Sequence, residues 1–235
     1  MPDRRYTILS TASIPLERIP PIPDSVDLRV IPFIEILPRE EASLKIRLDR
    51  LAAEQTAVVF TSAYAVRWVT NRLIKKPDWK IYCIRYETRR ALTEWLGEKY
   101  ELKTADNAGV LSDQIVADGI RDIVFFCGDQ RMDILPDQLK KHGVRLNELI
   151  VYDTKLSPVF IENSPDAILF FSPTAVRSFF SMNQLLPSTI IFAMGQTTAA
   201  SLKKYTNNPV IVSPEADKTF VMNMALEYAG THPVI

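Results

Sequence analysis

A segment of this chain recurs 110 residues downstream, and that recurrence limits the folds open to it. Residues 57–67 read AVVFTSAYAVR and residues 167–177 read AILFFSPTAVR, with six of the eleven positions identical. The identities are Ala57/Ala167, Phe60/Phe170, Ser62/Ser172, Ala65/Ala175, Val66/Val176 and Arg67/Arg177. Residues 81–92 (IYCIRYETRRAL) and 191–202 (IFAMGQTTAASL) keep the same spacing and share Ile, Thr and Leu at their first, eighth and twelfth places. More loosely, LSDQIV at 111–116 stands opposite VMNMAL at 221–226. A fixed offset over such a length marks a duplicated structural unit.

Each copy reads as a run of βα units. AVVF and AILFF are continuous apolar runs of the kind that fill a parallel sheet covered on both faces. Ser172 follows directly, Ser62 comes after Thr61, and both suit the N-caps of the next helices. Pro173 fits the first helical position. KIYCI and IIFAM are the next strands, with helices beginning near Thr88 and Thr198. IVFFCG (123–128) and LIVYDT (149–154) are strands flanking a helix over 133–142 that ends at Gly143. YTILSTAS (6–13) and LRVIPFIEIL (28–37) are the matching strands of the other copy, so the repeat is interleaved. The expected fold is α/β, with two lobes that are each a parallel sheet flanked by helices, joined by a two-stranded linker. Lobe one takes residues 1–30 and 159–235, and lobe two residues 38–150. The linker strands lie at 31–37 and 151–158. A ligand is expected in the cleft between lobes. Four prolines between residues 15 and 23 predict an irregular loop where the other copy has its helix at 133–142.

Twenty-eight basic residues balance 28 acidic ones, which argues against a duplex nucleic-acid partner or an anionic membrane. Cys83 and Cys127 fall in strands and read as small buried thiols rather than a disulfide or metal pair. The N-terminal apolar run is too short for a signal peptide, no segment has the length of a membrane span, and the cytoplasm is the expected location. Seven glycines and no G-x-G-x-x-G or G-x-x-x-x-G-K-[ST] argue against a dinucleotide or nucleoside triphosphate. There is no C-x-x-C or H-E-x-x-H, and the two histidines are isolated, so no metal is expected.

What does recur is hydroxyl at helix starts: Thr61-Ser62, Thr88, Ser172 and Thr197-Thr198. In an α/β sheet these positions lie at the carboxyl ends of strands, where ligands bind. Any one of them is an ordinary helix cap on its own. Four such ends, two per lobe, would suit carboxylates through their N–H groups and dipoles.

The ordered blocks RVIPFIEI, VVFTSAYAV, IYCIRYETRRAL, FFCGDQRMDILPDQLKKHGV, LIVYDT, ILFFSPTAV, FAMGQTTAASL and VIVSPEADKTFVMNMAL resemble the uroporphyrinogen-III synthase (HemD-like) family. The FTS/FFSP turns, the CG-to-VYDT stretch and the GQTTA turn carry most of that resemblance. It implies two HemD-like lobes and cyclisation of hydroxymethylbilane to uroporphyrinogen III, with inversion of ring D through a spiro intermediate and loss of water. It implies no metal and no organic cofactor, and a linear tetrapyrrole with carboxylate side chains as the partner; a monomer is expected. By the same resemblance Tyr152 is the proton donor to the leaving hydroxyl. Thr61, Ser62, Thr88, Gly128, Ser172, Gly195, Thr197 and Thr198 are substrate-binding positions, and Arg85 is read beside them either as a group for a substrate carboxylate or as a side chain filling the space of the family's glycine. Two places depart from the family pattern: STAS replaces a Thr-Arg pair after the first strand, and Arg85 stands where a glycine is expected. Those departures keep open an alternative, a non-catalytic tetrapyrrole-binding or regulatory protein of the same fold. A small-anion binder of the periplasmic type is a more distant one.

Overall fold

The computed structural model describes residues 4–232, apart from the side chain of Leu16. Residues 1–3 and 233–235, which the lobe-one expectation includes, lie outside the described residues. The chain divides into two compact units, Met1–Glu35 with Lys155–Ile235, and Ile36–Thr154.

The first unit opens with β1 (Tyr6–Ser10), a single 3-10 turn at Leu16–Arg18 and β2 (Val26–Val30). β3 (Ile34–Pro38) leads into the second unit. There follow α1 (Ala42–Ala52), β4 (Thr56–Phe60), α2 (Ala63–Thr70), β5 (Trp79–Ile84), α3 (Glu87–Leu96), β6 (Leu102–Ala105), α4 (Ala108–Ala117), β7 (Asp122–Gly128) and α5 (Ile134–Lys141). β8 (Arg145–Leu156) carries the chain back. The first unit is completed by β9 (Ala167–Phe170), α6 (Pro173–Phe180), β10 (Ile190–Ala193), α7 (Gln196–Leu202), β11 (Val210–Val212) and α8 (Lys218–Thr231). The division between units falls inside β3 and β8, which are neighbouring strands.

The strand orders make the duplication concrete. The first unit's sheet runs β11-β10-β9-β1-β2, and the second unit's runs β6-β5-β4-β7-β8-β3. β1 and β2 thus hold the places that β7 and β8 hold in the other copy, which is the interleaving read from sequence. Every strand pair from β11 to β2 and from β6 to β8 is parallel. α2 and α6 begin and end 110 residues apart (173 − 63 and 180 − 70).

Both sheets are covered on both faces, which is why their strands are apolar throughout rather than alternating. In the second unit Val58, Phe60 and Phe126 pack with Leu48, Val66, Val69 and Leu92 of α1–α3. Val59, Phe125 and Cys127 turn the other way onto Leu111 and Ile115 of α4 and Leu135 and Leu139 of α5. Phe60 and Phe126 stack at 5.1 Å between ring centres, and Trp79 continues the stack at 5.7 Å. In the first unit α8 covers one face through Val221, Met222 and Ala225. α6 and α7 cover the other through Val176, Phe179 and Leu202.

The proline-rich stretch forms no α-helix; its regular structure is the one 3-10 turn. The strand expected over 28–37 is two strands, β2 and β3, interrupted at residues 31–33. Pro32 has no N–H to offer a ladder. On either side of it, Ile31 N–H donates to Ser10 O at 2.9 Å and Phe33 N–H donates to Thr11 O at 3.2 Å. Phe33 is fully buried against Phe179.

Candidate functional site

Parallel sheets present the carboxyl ends of all their strands, and the helix starts that follow them, at one edge. The two serines sit there as caps. Ser62 Oγ accepts from Tyr64 N–H at 3.2 Å at the head of α2, and Ser172 Oγ accepts from Ala175 N–H at 3.1 Å at the head of α6. Thr61 and Phe171 are the residues between strand and cap.

Ser62 has a second partner. The Tyr152 hydroxyl donates to its Oγ at 3.0 Å. Tyr152 is half-buried on β8, beside Gly128 on β7. The register between these strands slips here: Cys127 pairs with Ile150, but Gly128 pairs with Tyr152, so Val151 is an extra residue. Burial pushes the Tyr152 phenol up to about 12, with the Ser62 bond a smaller opposing influence. Ser62, Gly128 and Tyr152 are therefore one cluster, where the carboxyl ends of β4 and β7 meet the inner part of β8; Thr61 adjoins it in the chain.

Arg85, Thr88, Gly195, Thr197 and Thr198 lie at the next strand ends, after β5 and β10. Thr88 and Thr198 are the buried hydroxyls of their helix starts, at 5% and 2% exposure, while Thr197 is exposed. Neither α3 nor α7 has a side-chain cap from the residue before it. Arg85 is exposed and pairs with Asp106 at 3.1 Å.

The repeat places Arg85 opposite Gly195, yet the left-handed backbone is one residue later. Gly195 has φ 131°, and Tyr86 has φ 68° with ψ −124°. Among the described residues Tyr86 is the one non-glycine with positive φ. Such a conformation costs about 1–3 kcal/mol in a residue with a Cβ. Part of any gain from glycine is lost to its freer unfolded chain, about 0.5–1 kcal/mol. Tyr86→Gly is expected to stabilise the protein by about 1 kcal/mol in urea unfolding; a loss of stability would show that the Tyr86 ring holds the turn.

Sequence reasoning did not single out Tyr64, Asp129, Arg39 or Asp153. The Tyr64 ring lies 5.8 Å from that of Tyr152. Asp129 N–H donates to Tyr152 O at 3.1 Å, and Asp129 Oδ1 accepts from Thr154 N–H at 2.7 Å. Arg39 grips Asp153 through Nε and Nη2, the latter at 2.6 Å. The aspartates that directly follow CG and VY, Asp129 and Asp153, were the available clue to these contacts. Cys83 and Cys127 are free, buried thiols. Among the described residues no His/Cys/Asp/Glu group is placed to hold a metal ion, and no helix is long and apolar enough to cross a membrane.

A family model described as uroporphyrinogen-III synthase HemD matches residues 26–219. The solved uroporphyrinogen-III synthetase of Helicobacter pylori superposes with a TM-score of 0.63 at 16% identity, covering 95% of this chain and 99% of that one. A mutant uroporphyrinogen III synthase of Thermus thermophilus gives 0.61 at 14% identity, covering 96% and 99%. At these identities the two structures speak for the fold. A comparison with curated protein sequences gives no match. The family match spans most of the chain and includes the β4, β7, β8, β9 and β10 strand ends: the chain belongs to the uroporphyrinogen-III synthase HemD family.

Proposed function

We propose that this protein is a working uroporphyrinogen-III synthase in which Tyr152 is the proton donor to the departing hydroxyl of hydroxymethylbilane. Family membership supplies the reaction, and the observation that carries the residue assignment is the Tyr152 phenol held at the strand ends by Ser62. The C–O bond of the hydroxymethyl group breaks with its electron pair going to oxygen, and the phenol proton turns that oxygen into water.

A phenol held near 12 keeps its proton throughout the neutral range, so it serves as an acid and not as a base. It is still acidic enough: hydroxide is the conjugate base of water, whose pKa is about 16, so transfer to the departing oxygen runs downhill by several units. As the phenol gives up its proton, the Ser62 hydroxyl is placed to turn and donate to the phenolate oxygen.

Carboxylates of the substrate need donors rather than net charge. The first-turn N–H groups of α3 and α7, without side-chain caps, are such donors in each unit, beside Thr88 and Thr198. Holding a flexible chain in one coiled shape is the larger part of the task, because the same chain closes unaided to the wrong isomer.

Incubated with freshly made hydroxymethylbilane, the protein is expected to yield the III isomer. A product that is all I isomer, matching the protein-free control, rejects the reading, as does tight binding of the substrate with no turnover.

A further inference from the structure

We propose that Gly128 is a positioning residue for Tyr152: its bare backbone lets the phenol ring cross β7 and reach Ser62. The functional consequence rests on Tyr152 being the proton donor; the geometry stands apart from it.

The strand order is β8-β7-β4. Tyr152 belongs to β8 and Ser62 follows β4, so β7 lies between them. Neighbouring strands are about 4.8 Å apart, so the hydroxyl reaches its partner by passing over the middle strand. The residue beneath it is Gly128. A Cβ added there would lie 2.3 Å from Tyr152 Cε2, 2.5 Å from Cζ and 2.9 Å from the hydroxyl oxygen. Carbon atoms in contact prefer about 3.5–4.0 Å. Gly97, Gly119, Gly143 and Gly195 have positive φ and open space around the missing Cβ. Gly128 is not among the positive-φ glycines. What demands glycine at 128 is therefore the tyrosine ring and not the backbone.

The register slip supplies the other half of the device. On β7, Val124 and Phe126 face the α1–α3 side, and Phe125 and Cys127 face α4 and α5. On β8, Leu149 and Val151 face the α1–α3 side and Ile150 the other. Strict alternation would send Tyr152 with Ile150, away from Ser62. The extra residue at Val151 returns Tyr152 to the α1–α3 side, opposite Gly128. A bulge that re-aims one side chain in this way is a recognised use of the irregularity. Asp129 holds it from both directions, donating to Tyr152 O and accepting from Thr154 N–H.

The test is Gly128→Ala in the full chain, with Tyr152→Ala as a second background. The added methyl displaces the ring, and kcat is expected to fall on the order of 100-fold with KM little changed, the scale of a misplaced reacting group. Carbon-13 NMR of the tyrosine rings, with Tyr152 assigned by its loss in Tyr152→Phe, reads the displacement directly. At pH 10, where the parent chain is still folded, its Tyr152 ring stays protonated, and in Gly128→Ala the ring signal shifts toward that of a phenolate as the displaced phenol returns toward 10.0, the value of a free phenol. In urea unfolding Gly128→Ala destabilises the parent chain and not Tyr152→Ala, where no ring remains to be struck. An unmoved Tyr152 titration, or equal destabilisation in both backgrounds, overturns the proposal. If Gly128→Ala alone does not fold, the double variant is expected to fold, and its failure overturns the proposal too. If the parent chain makes no III isomer, the proposed function fails while the titration and unfolding results still decide the role of Gly128.

Discussion

Tyr152→Phe is expected to lower kcat by about 100-fold or more, the range over which a positioned general acid contributes. The substitution removes one oxygen and keeps the ring over Gly128, so packing at the β7–β8 slip survives. Stability changes only by the loss of the bond to Ser62, which is worth about 0.5–1.5 kcal/mol. Ser62 keeps its other partner, Tyr64 N–H, so the head of α2 stays capped. The melting temperature is expected to drop by a few degrees at most. Product composition gives a second readout. Unaided closure yields the I isomer, so slowing the enzyme lets that background compete and the I share rises. Steady-state kinetics with isomer separation measures both. Unchanged kcat in a folded Tyr152→Phe protein would remove the phenol from the mechanism.

Much of the architecture was legible because its cause is local and repeated. AVVFTSAYAV and AILFFSPTAV each carry an apolar run, a capping serine and a helical apolar stripe, and the structure turns them into β4–α2 and β9–α6 at the same spacing. The buried pair Thr88 and Thr198 follows the same logic, since each precedes by four residues a fully buried leucine, Leu92 and Leu202. What the sequence hid is what depends on two strands at once. LIVYDT read alone alternates, and alternation puts Tyr152 on the face of Ile150; the slip that reverses it is a relation between β8 and β7. The glycine of CG likewise reads as a strand end until the ring lying on it is seen. Tyr86 was hidden for a different reason. A residue with a Cβ gives no hint of positive φ, so the repeat pointed to Arg85, where glycine is expected, rather than to the position that carries the strain. Pro32 was read within a continuous strand; the buried Phe33 beside it shows that the chain leaves the ladder there to fill the first unit's core.

Stability is expected to fall steeply above pH 9, because the folded protein buries acids that must keep their protons. Burial pushes the Cys83 and Cys127 thiols from 9.0 up to about 12. It pushes the Tyr6 and Tyr152 phenols from 10.0 up to about 12. The Tyr82 phenol is also raised, by burial first and by its bond to Asp118 second. Below pH 9 these groups are protonated in the folded and unfolded chain alike, and they leave stability unchanged. Above it the unfolded chain ionises first, thiols and then phenols, while the folded chain does not. The unfolded state then gains about 1.4 kcal/mol per group for each pH unit beyond the ordinary pKa, until the folded-state value is reached. At pH 10.5 the two thiols alone amount to about 4 kcal/mol, and the three phenols add about 2 more. A typical domain has about 5–15 kcal/mol in total, so unfolding is expected to set in near that pH. Urea titrations at pH 8, 9.5 and 10.5 measure the slope. A Cys83→Ala/Cys127→Ala chain is expected to start lower from the lost thiols but to hold level until the phenols begin to ionise, near pH 10. Thiol reagents give an independent check: both cysteines should react only as fast as the protein opens. A parent chain whose unfolding free energy is flat from pH 8 to 10.5 would mean that solvent reaches these groups in the folded state, and that the two β-sheet cores are less closed than the burial of Cys83 and Cys127 requires.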